Sequence, residues 1–420
     1  MCSNWMMTEK ENGSEKKGIR ELELYVHIPF CVRKCAYCDF LSFPSGEMER
    51  KAYVDALIQE IQSRKDNFTD CRVTTVFLGG GTPSVLDGED TARLFDVIYE
   101  NFDLEGNPEI TMEVNPGTVT KEKMEAWKVS GINRLSIGLQ SVNDDELKML
   151  GRIHTYREFL ETYSLARDAG FDNINIDLIS AIPGQTLKSW ERTLSTVAEL
   201  APEHLSAYSL IIEEGTPFYE WYGENGQEQQ HRGLADLPPL PGEEEDRAIY
   251  ERTAVLLEQY GYHRYEISNY AKPGFECRHN LGYWERKEYL GLGLGASSLI
   301  REERFHNTAD MKKYMAAFPG KNPDGHTGKS DIAEPPGLLE EIERLSREEQ
   351  MSEFMILGLR KMEGISVQEF RSLYGKEISE IYGTQISKFK KEGLLTEEHG
   401  RLRLTPRGID ISNYVFCGFI

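Results

Sequence analysis

Between residue 22 and about residue 213 the chain alternates strand-like and helix-like segments with little interruption, and this alternation constrains the fold more than any other feature. Apolar strand patterns fall at 22–30, 73–78, 110–114, 135–139, 174–179 and 205–212. Helical patterns lie between them at 48–64, 91–101, 121–130, 156–169 and 187–200, with Gly131, Gly170 and Pro202 standing where helices stop. Strand followed by helix, repeated, requires parallel pairing with right-handed crossovers. The fold class is therefore α/β. Six such units fall short of a closed eight-unit barrel, and an open doubly wound sheet satisfies the same period.

The polar residues supply an independent constraint. In parallel α/β barrels the chemistry lies at the C-terminal ends of the strands. After the first strand comes Cys31-Val-Arg-Lys-Cys35-Ala-Tyr-Cys38, and after the second Gly79-Gly80-Gly81-Thr82-Pro83. The third carries Glu113 and Asn115, the fourth Gln140, and the fifth Asp177 inside an apolar run. A merely structural sheet would not require this. Three thiolates can hold three irons of a 4Fe–4S cubane, and the absent fourth ligand leaves one iron open to a small molecule. A structural zinc site is the competing reading, but zinc prefers four ligands, commonly in paired C-x2-C knuckles, and no second cysteine pair exists here. Glycines after a strand let backbone approach a ligand closely. An unpaired carboxylate in an apolar strand, as at Asp177, is costly and marks a site.

The C-x3-C-x2-C frame, with Tyr37 just before its third cysteine, resembles the signature of the radical S-adenosylmethionine (SAM) superfamily. The flanking Tyr25-Val-His27-Ile-Pro-Phe-Cys31 and Cys38-Asp39-Phe40 resemble the oxygen-independent coproporphyrinogen oxidase group, and within it the HemW haem-chaperone branch. That resemblance, and not the periodicity, implies an incomplete (β/α)6 TIM-type radical SAM barrel. It also implies that SAM chelates the open iron and that one cluster electron can cleave it to a 5′-deoxyadenosyl radical. It places Tyr25, Gly80 and Glu113 at the cluster-bound SAM, and Gly81, Thr82, Gln140, Arg152 and Asp177 at a second SAM position. Without it, Gln140 reads as a helix cap, Arg152 as a surface charge and Tyr25 as core packing. The catalytic branch carries a fourth cysteine two residues beyond the third, where this chain has Phe40. Phenylalanine can neither ligate nor share a thiol's redox chemistry. The run His279-Asn280-Leu-Gly-Tyr283-Trp284 matches the H-N-x-x-Y-W motif that the branch associates with haem. A neutral imidazole is a good axial ligand, and Tyr283 and Trp284 could wall a porphyrin face. Cys277 is a rival ligand, and His27 reads as orienting the cluster loop.

The rest of the chain narrows partners and organisation. A net charge of −22 opposes nucleic-acid binding. Seven cysteines in 420 residues do not make a disulfide scaffold, and a cluster needs free thiolates, so a reducing cytoplasmic setting is expected. No apolar run reaches membrane-span length, no signal-peptide core opens the chain, and the terminal Cys417-Gly-Phe-Ile is a chance likeness to a prenylation box. The expected organisation is a disordered tail at 1–20, the core barrel at 21–240, an extension bearing the His279 motif at 241–318, a linker at 319–344 and a C-terminal winged-helix-like domain at 345–420. Within these, 219–245 reads as an excursion, 246–260 as a helix and 263–270 as a strand; 353–360 and 378–391 read as helices, and 394–396 with 402–405 as a hairpin. From Leu345 onward eleven basic and eleven acidic residues balance, so that domain has no basic footprint for DNA. The resemblance implies a chaperone that binds haem and passes it to haem-requiring proteins, served by an electron donor such as a flavodoxin or ferredoxin. Coproporphyrinogen oxidase is the alternative, opposed by Phe40, and a radical SAM enzyme with an unrelated substrate is a third.

Overall fold

A computed structural model describes residues 18–223, 237–319 and 337–420. Residues 1–17 of the expected tail, much of the expected excursion and most of the expected linker lie outside the described residues, while Arg20 already belongs to the first strand and Leu339–Arg344 of the expected linker is a strand of the main sheet. Six strands follow one another in parallel: β1 (Arg20–Ile28), β2 (Cys71–Gly80), β3 (Leu104–Val114), β4 (Arg134–Gln140), β5 (Ile174–Ser180) and β6 (His204–Ser209). The helices between them include α1 (Glu47–Arg64), α2 (Gly88–Asn101), α3 (Lys121–Val129), α4 (Asp144–Met149), α5 (Tyr156–Asp168) and α6 (Leu187–Glu199). Their starts follow from local chemistry. Asp87 accepts from Asp90 N ahead of α2, Thr120 from Lys123 N ahead of α3, and Thr155 closes a capping box with Glu158 ahead of α5.

Strand alternation decides where the core and the site go. In β1, Leu22, Leu24, Val26 and Ile28 are fully buried and belong to the core that the helices cover. The opposite face carries Glu23, Tyr25 and His27, in register with Thr75, Phe77 and Gly79 of β2. Further round, the same register brings in Glu109 and Thr111, then Arg134, Ser136, Asn175, Asp177, His204 and Ser206. The barrel interior is therefore polar, unlike the branched apolar filling of a purely structural barrel.

The sheet holds twelve strands and does not close among the described residues. Beyond β6, the short strands β7 (His263–Arg264) and β8 (Asn269–Ala271) add antiparallel. The stretch expected as one strand at 263–270 is thus two short strands separated by a turn. On the other edge β9 (Tyr289–Leu292) pairs parallel with β1, followed by antiparallel β10 (Ser297–Ile300), β11 (Glu303–Asn307) and β12 (Leu339–Arg344). The barrel is incomplete, and β9 gives it a seventh parallel strand that the βα period did not reveal. Residues beyond 241, including Leu256, Tyr262 and Leu290, share its core. After α6 come the short α7 (Pro217–Tyr222), the longer α8 (Glu243–Gln259) and the short α9 (Arg278–Trp284).

The C-terminal part has a core of its own, built around Met355, Phe370, Phe389, Leu402 and Val415. Helices α11 (Arg347–Gly358), α12 (Val367–Tyr374) and α13 (Ile378–Lys391) pack with a three-stranded sheet of 365–366, 395–398 and 401–404 (α10 is Met311–Ala317). This is the winged-helix-like arrangement, with α12 and one short strand beyond what the sequence pattern revealed. Ion pairs tie it to the barrel: Arg286 reaches Glu353 at 3.1 Å, and Lys361 reaches Glu285 at 3.1 Å.

Candidate functional site

The cysteine loop leaves β1 and is fastened to its neighbours by backbone. Gly81 N donates to Ile28 O at 2.9 Å, Thr82 N to Phe30 O at 2.7 Å, and Ala36 N to Leu150 O at 3.0 Å. Cys31, Cys35 and Cys38 are half-buried and free. The Thr82 hydroxyl donates to Cys31 Sγ at 3.4 Å, and Arg152 Nη1 to Cys35 Sγ at 3.5 Å. Burial pushes the Cys38 thiol up to about 11. Among the described residues no three His, Cys, Asp or Glu side chains converge to hold a single metal ion, and a cubane does not ask this, because each thiolate binds a different iron. Three thiols on one pinned loop, two of them already met by donors suited to anionic sulfur, fit such a cluster.

Beside the loop opens a cavity of about 430 Å³, lined by Tyr25, His27, Phe40, Gly80, Glu113, Tyr283 and others. Glu113 Oε2 accepts from Gly80 N at 3.0 Å, and burial first, then the charge of Asp177, pushes its carboxyl up to about 8. Tyr25 Oη meets His27 Nδ1 at 3.1 Å, and His27 Nε2 meets Leu41 O at 2.9 Å, so His27 ties strand to cluster loop. Gly80 is required here: its φ is +105°, and a Cβ would stand 2.3 Å from the His27 ring. Phe40, 59% exposed, forms part of the cavity lining.

A second group lies beside Cys35, where Asn115 and Arg152 are half-buried. Arg152 Nη2 donates to Asn115 Oδ1 at 2.6 Å and to Gly138 O at 2.7 Å, while Asn115 Nδ2 donates to Thr82 Oγ1 at 2.7 Å. Gln140 holds a left-handed backbone, φ 75°, which costs a non-glycine residue ~1–3 kcal/mol and persists where surroundings impose it. Asp177 accepts from Ser136 Oγ at 2.9 Å and Asn175 Nδ2 at 2.7 Å, and burial raises its pKa despite these bonds. Gly81 packs against β1, where a Cβ would meet Phe30 backbone at 2.7 Å.

The residues of the H-N-x-x-Y-W run separate. Tyr283 lines the cavity with Tyr25 and Glu113. His279 lies behind it, 1% exposed, with Nδ1 2.7 Å from Thr75 Oγ1 and Nε2 3.0 Å from Tyr283 Oη. Burial pushes that imidazole down to about 3. Trp284 instead stacks under Arg360 of the C-terminal domain, at 4.4 Å, away from any shared wall with Tyr283. Cys277 is fully buried and donates to Glu109 Oε1 at 3.4 Å. Of the side chains singled out from sequence for a porphyrin face, only Tyr283 lies on the described cavity wall, because the α9 turn sends its neighbours to opposite sides.

Several residues escaped the sequence reading. Asn115, noted there only at a strand end, joins Thr82 to Arg152. Thr75 and Tyr289 enter through strand pairing and a strand the period did not reveal. Glu23 is 1% exposed, neither carboxyl oxygen has a hydrogen bond, and burial pushes it up to about 9. Arg134 is 2% exposed. A charge in each otherwise regular strand was the available signal.

Residues 25–197 match the family model of the Radical SAM superfamily, and 345–411 that of the HemN C-terminal domain. The chain is 36% identical over 396 residues to the heme chaperone HemW of Lactococcus lactis, spanning 94% of this chain and 96% of that protein. The chain belongs to the HemW family. The Bacillus subtilis HemW is 34% identical over 397 residues, 94% of this chain and 98% of its own. Among solved structures, the Escherichia coli coproporphyrinogen III oxidase HemN, described as a radical SAM enzyme, superposes with a TM-score of 0.78 at 26% identity, covering 95% of this chain and 90% of that one. For a HemW-family chain, membership of the radical SAM superfamily implies a 4Fe–4S cluster and SAM. No described helix is long and apolar enough to cross a membrane.

Proposed function

We propose that this chain is a cytoplasmic haem chaperone, holding haem beside a SAM-liganded 4Fe–4S cluster and delivering it to haem-requiring proteins. The observation that carries the reading is Phe40, an exposed ring on the cavity lining at the position where the catalytic branch has a thiol. With Tyr25, Tyr283 and Tyr289 it gives the cavity several aromatic surfaces, which suit a flat apolar macrocycle. The near full-length likeness to proteins named heme chaperones supports the same reading.

Cys31, Cys35 and Cys38 would hold the cluster, which when bound supplies a single electron at low potential. Tyr25, Gly80 and Glu113 would orient SAM on it, Glu113 by accepting a hydrogen bond from the SAM amino group. Thr82, Gln140, Arg152 and Asp177, with Gly81 shaping the loop, would bind a second SAM. A redox protein such as a flavodoxin or ferredoxin would supply the electron. The test is haemin titration of the cluster-reconstituted protein by absorbance, beside an anaerobic assay with SAM, reductant and coproporphyrinogen. Saturable haemin binding without protoporphyrinogen formation is expected. Protoporphyrinogen formation without haemin binding would replace the chaperone by the oxidase.

A further inference from the structure

We infer that Asn115 is a positioning residue for the iron–sulfur cluster. Its one amide aims the Thr82 hydroxyl at Cys31 and the Arg152 guanidinium at Cys35, and so sets the potential at which the cluster takes an electron. The inference rests on the reading that Cys31, Cys35 and Cys38 hold a 4Fe–4S cluster. The directions of the hydrogen bonds carry it. Asn115 Oδ1 accepts from Arg152 Nη2 at 2.6 Å, and on its other side Asn115 Nδ2 donates to Thr82 Oγ1 at 2.7 Å. A hydroxyl has one proton, so Thr82, having accepted from Asn115, turns that proton to Cys31 Sγ at 3.4 Å. Arg152, fixed by Asn115 and by Gly138 O at 2.7 Å, presents Nη1 to Cys35 Sγ at 3.5 Å. A Cβ on Gly138 would stand 3.3 Å from both Arg152 Nη2 and Asn115 Oδ1, so glycine leaves that pair its room.

Asn115 can aim its neighbours because its own backbone is pinned. Its N–H donates to Ser84 Oγ at 3.1 Å, and its carbonyl accepts from the Thr118 hydroxyl at 2.7 Å. With the Thr118 proton so used, the Ser84 hydroxyl is the donor in the 2.7 Å bond between the two. Each hydroxyl in this ring therefore accepts once and donates once. Lys123 Nζ on α3 closes the ring from outside, donating to Ser84 O at 2.9 Å and Thr118 O at 3.0 Å. Ser84 is fully buried and Thr82 is 1% exposed. Once the thiols bind iron they are anionic acceptors, and hydrogen bonds to sulfur are among the factors that set a cluster's potential. On reduction one electron from the redox partner enters the cluster, which becomes one charge more negative; no bond to the protein forms or breaks and no proton moves. A hydroxyl donor at one sulfur and a guanidinium at another stabilise the more negative state, because hydrogen bonds strengthen with the charge of the acceptor. Both therefore raise the potential, and both depend on Asn115.

The experiment is a potentiometric titration of the full-length, cluster-reconstituted protein with titanium(III) citrate, without SAM, read by electron paramagnetic resonance of the reduced cluster. It compares wild type, Asn115→Ala, Thr82→Val and Thr82→Ser, with iron and sulfide contents and thermal melts to establish that each is folded and loaded. Asn115→Ala releases both donors, and its midpoint should fall by at least a tenfold change in the one-electron equilibrium, about 59 mV. Thr82→Val removes the donor to Cys31 alone and should lower the midpoint by less. Thr82→Ser keeps a hydroxyl and should restore the wild-type midpoint. A merely structural role would move melting and loading and leave the midpoint of the loaded protein where it was. A wild-type midpoint in loaded Asn115→Ala, or in loaded Thr82→Val, overturns the assignment. If Asn115→Ala fails to fold or load, Thr82→Val decides alone, a lowered midpoint sustaining the assignment and an unchanged one overturning it. A wild type that takes up no iron and sulfide overturns the cluster reading itself.

Discussion

Replacing Glu23 by Gln should stabilise the protein, and by an amount that grows with pH. Glu23 is buried on the inner face of β1, and neither carboxyl oxygen has a hydrogen bond. Burial first, then the neighbouring carboxylates of Glu109 and Glu285 against the opposing charge of Lys287, lifts its pKa from 4.5 to about 9. Gly282 leaves it room, since a Cβ there would stand 2.0 Å from its Oε1. A folded pKa above the unfolded one means that the folded state binds the extra proton, so stability falls as pH rises from 4.5 towards 9. Each pH unit in that window costs ~1.4 kcal/mol, which gives a penalty under ~1 kcal/mol at pH 5 and on the order of 3 kcal/mol at pH 7. Glutamine keeps the shape and is neutral throughout, so it removes this term alone. Other buried acids such as Glu113 contribute equally to both proteins and cancel in the difference. Urea unfolding by tryptophan fluorescence, on matched cluster-loaded samples at pH 5, 6, 7 and 8, measures it. A wild-type-minus-variant difference that stays flat across these values would mean that Glu23 is ionised or hydrated in the fold, and the reasoning would be wrong.

Other outcomes follow from the site. Cys35→Ser should abolish the iron–sulfur absorption and lower bound iron and sulfide, because the hydroxyl does not replace the thiolate. Gly80→Ala should lower stability by at least ~2 kcal/mol in thermal or urea unfolding, since it forces a side chain into a left-handed backbone and against the His27 ring. Affinity for SAM should rise by up to about tenfold per unit from pH 6 towards pH 8 and then level, because Glu113, whose carboxyl is held up to about 8, must ionise to accept the SAM amino N–H; Glu113→Gln should flatten the profile in calorimetric titration. Arg286→Ala removes the pairs with Glu353 at 3.1 Å and Glu302 at 2.6 Å while Arg304 stays on Glu353 at 2.7 Å, and should cost about 1 kcal/mol in urea or thermal unfolding.

Much of the fold was legible in the chain. The helix expected at 156–169 is Tyr156–Asp168, and that at 378–391 is Ile378–Lys391, because caps and apolar period act within one turn. The seventh parallel strand, Tyr289–Leu292, was not legible. It is four residues long and is stabilised by the edge of β1, far away in sequence. In the same way Asn115 became a bridge between Thr82 and Arg152 only once β2, β3 and the loop after α4 were adjacent.

Sequence alone determined the cysteine spacing, the glycine loop and the alternation that puts Glu23, Tyr25 and His27 on one face of β1 and Leu22, Leu24 and Val26 on the other. Those are properties of local geometry, which a chain carries with it. Only the tertiary structure decided which of His279, Tyr283 and Trp284 meets the cavity. Three residues on one short helix diverge by the helical turn, and what each one faces depends on packing against β2, β9 and the C-terminal domain. A motif names its members together; the fold buries one, sets another on the cavity wall and gives the third to a different domain.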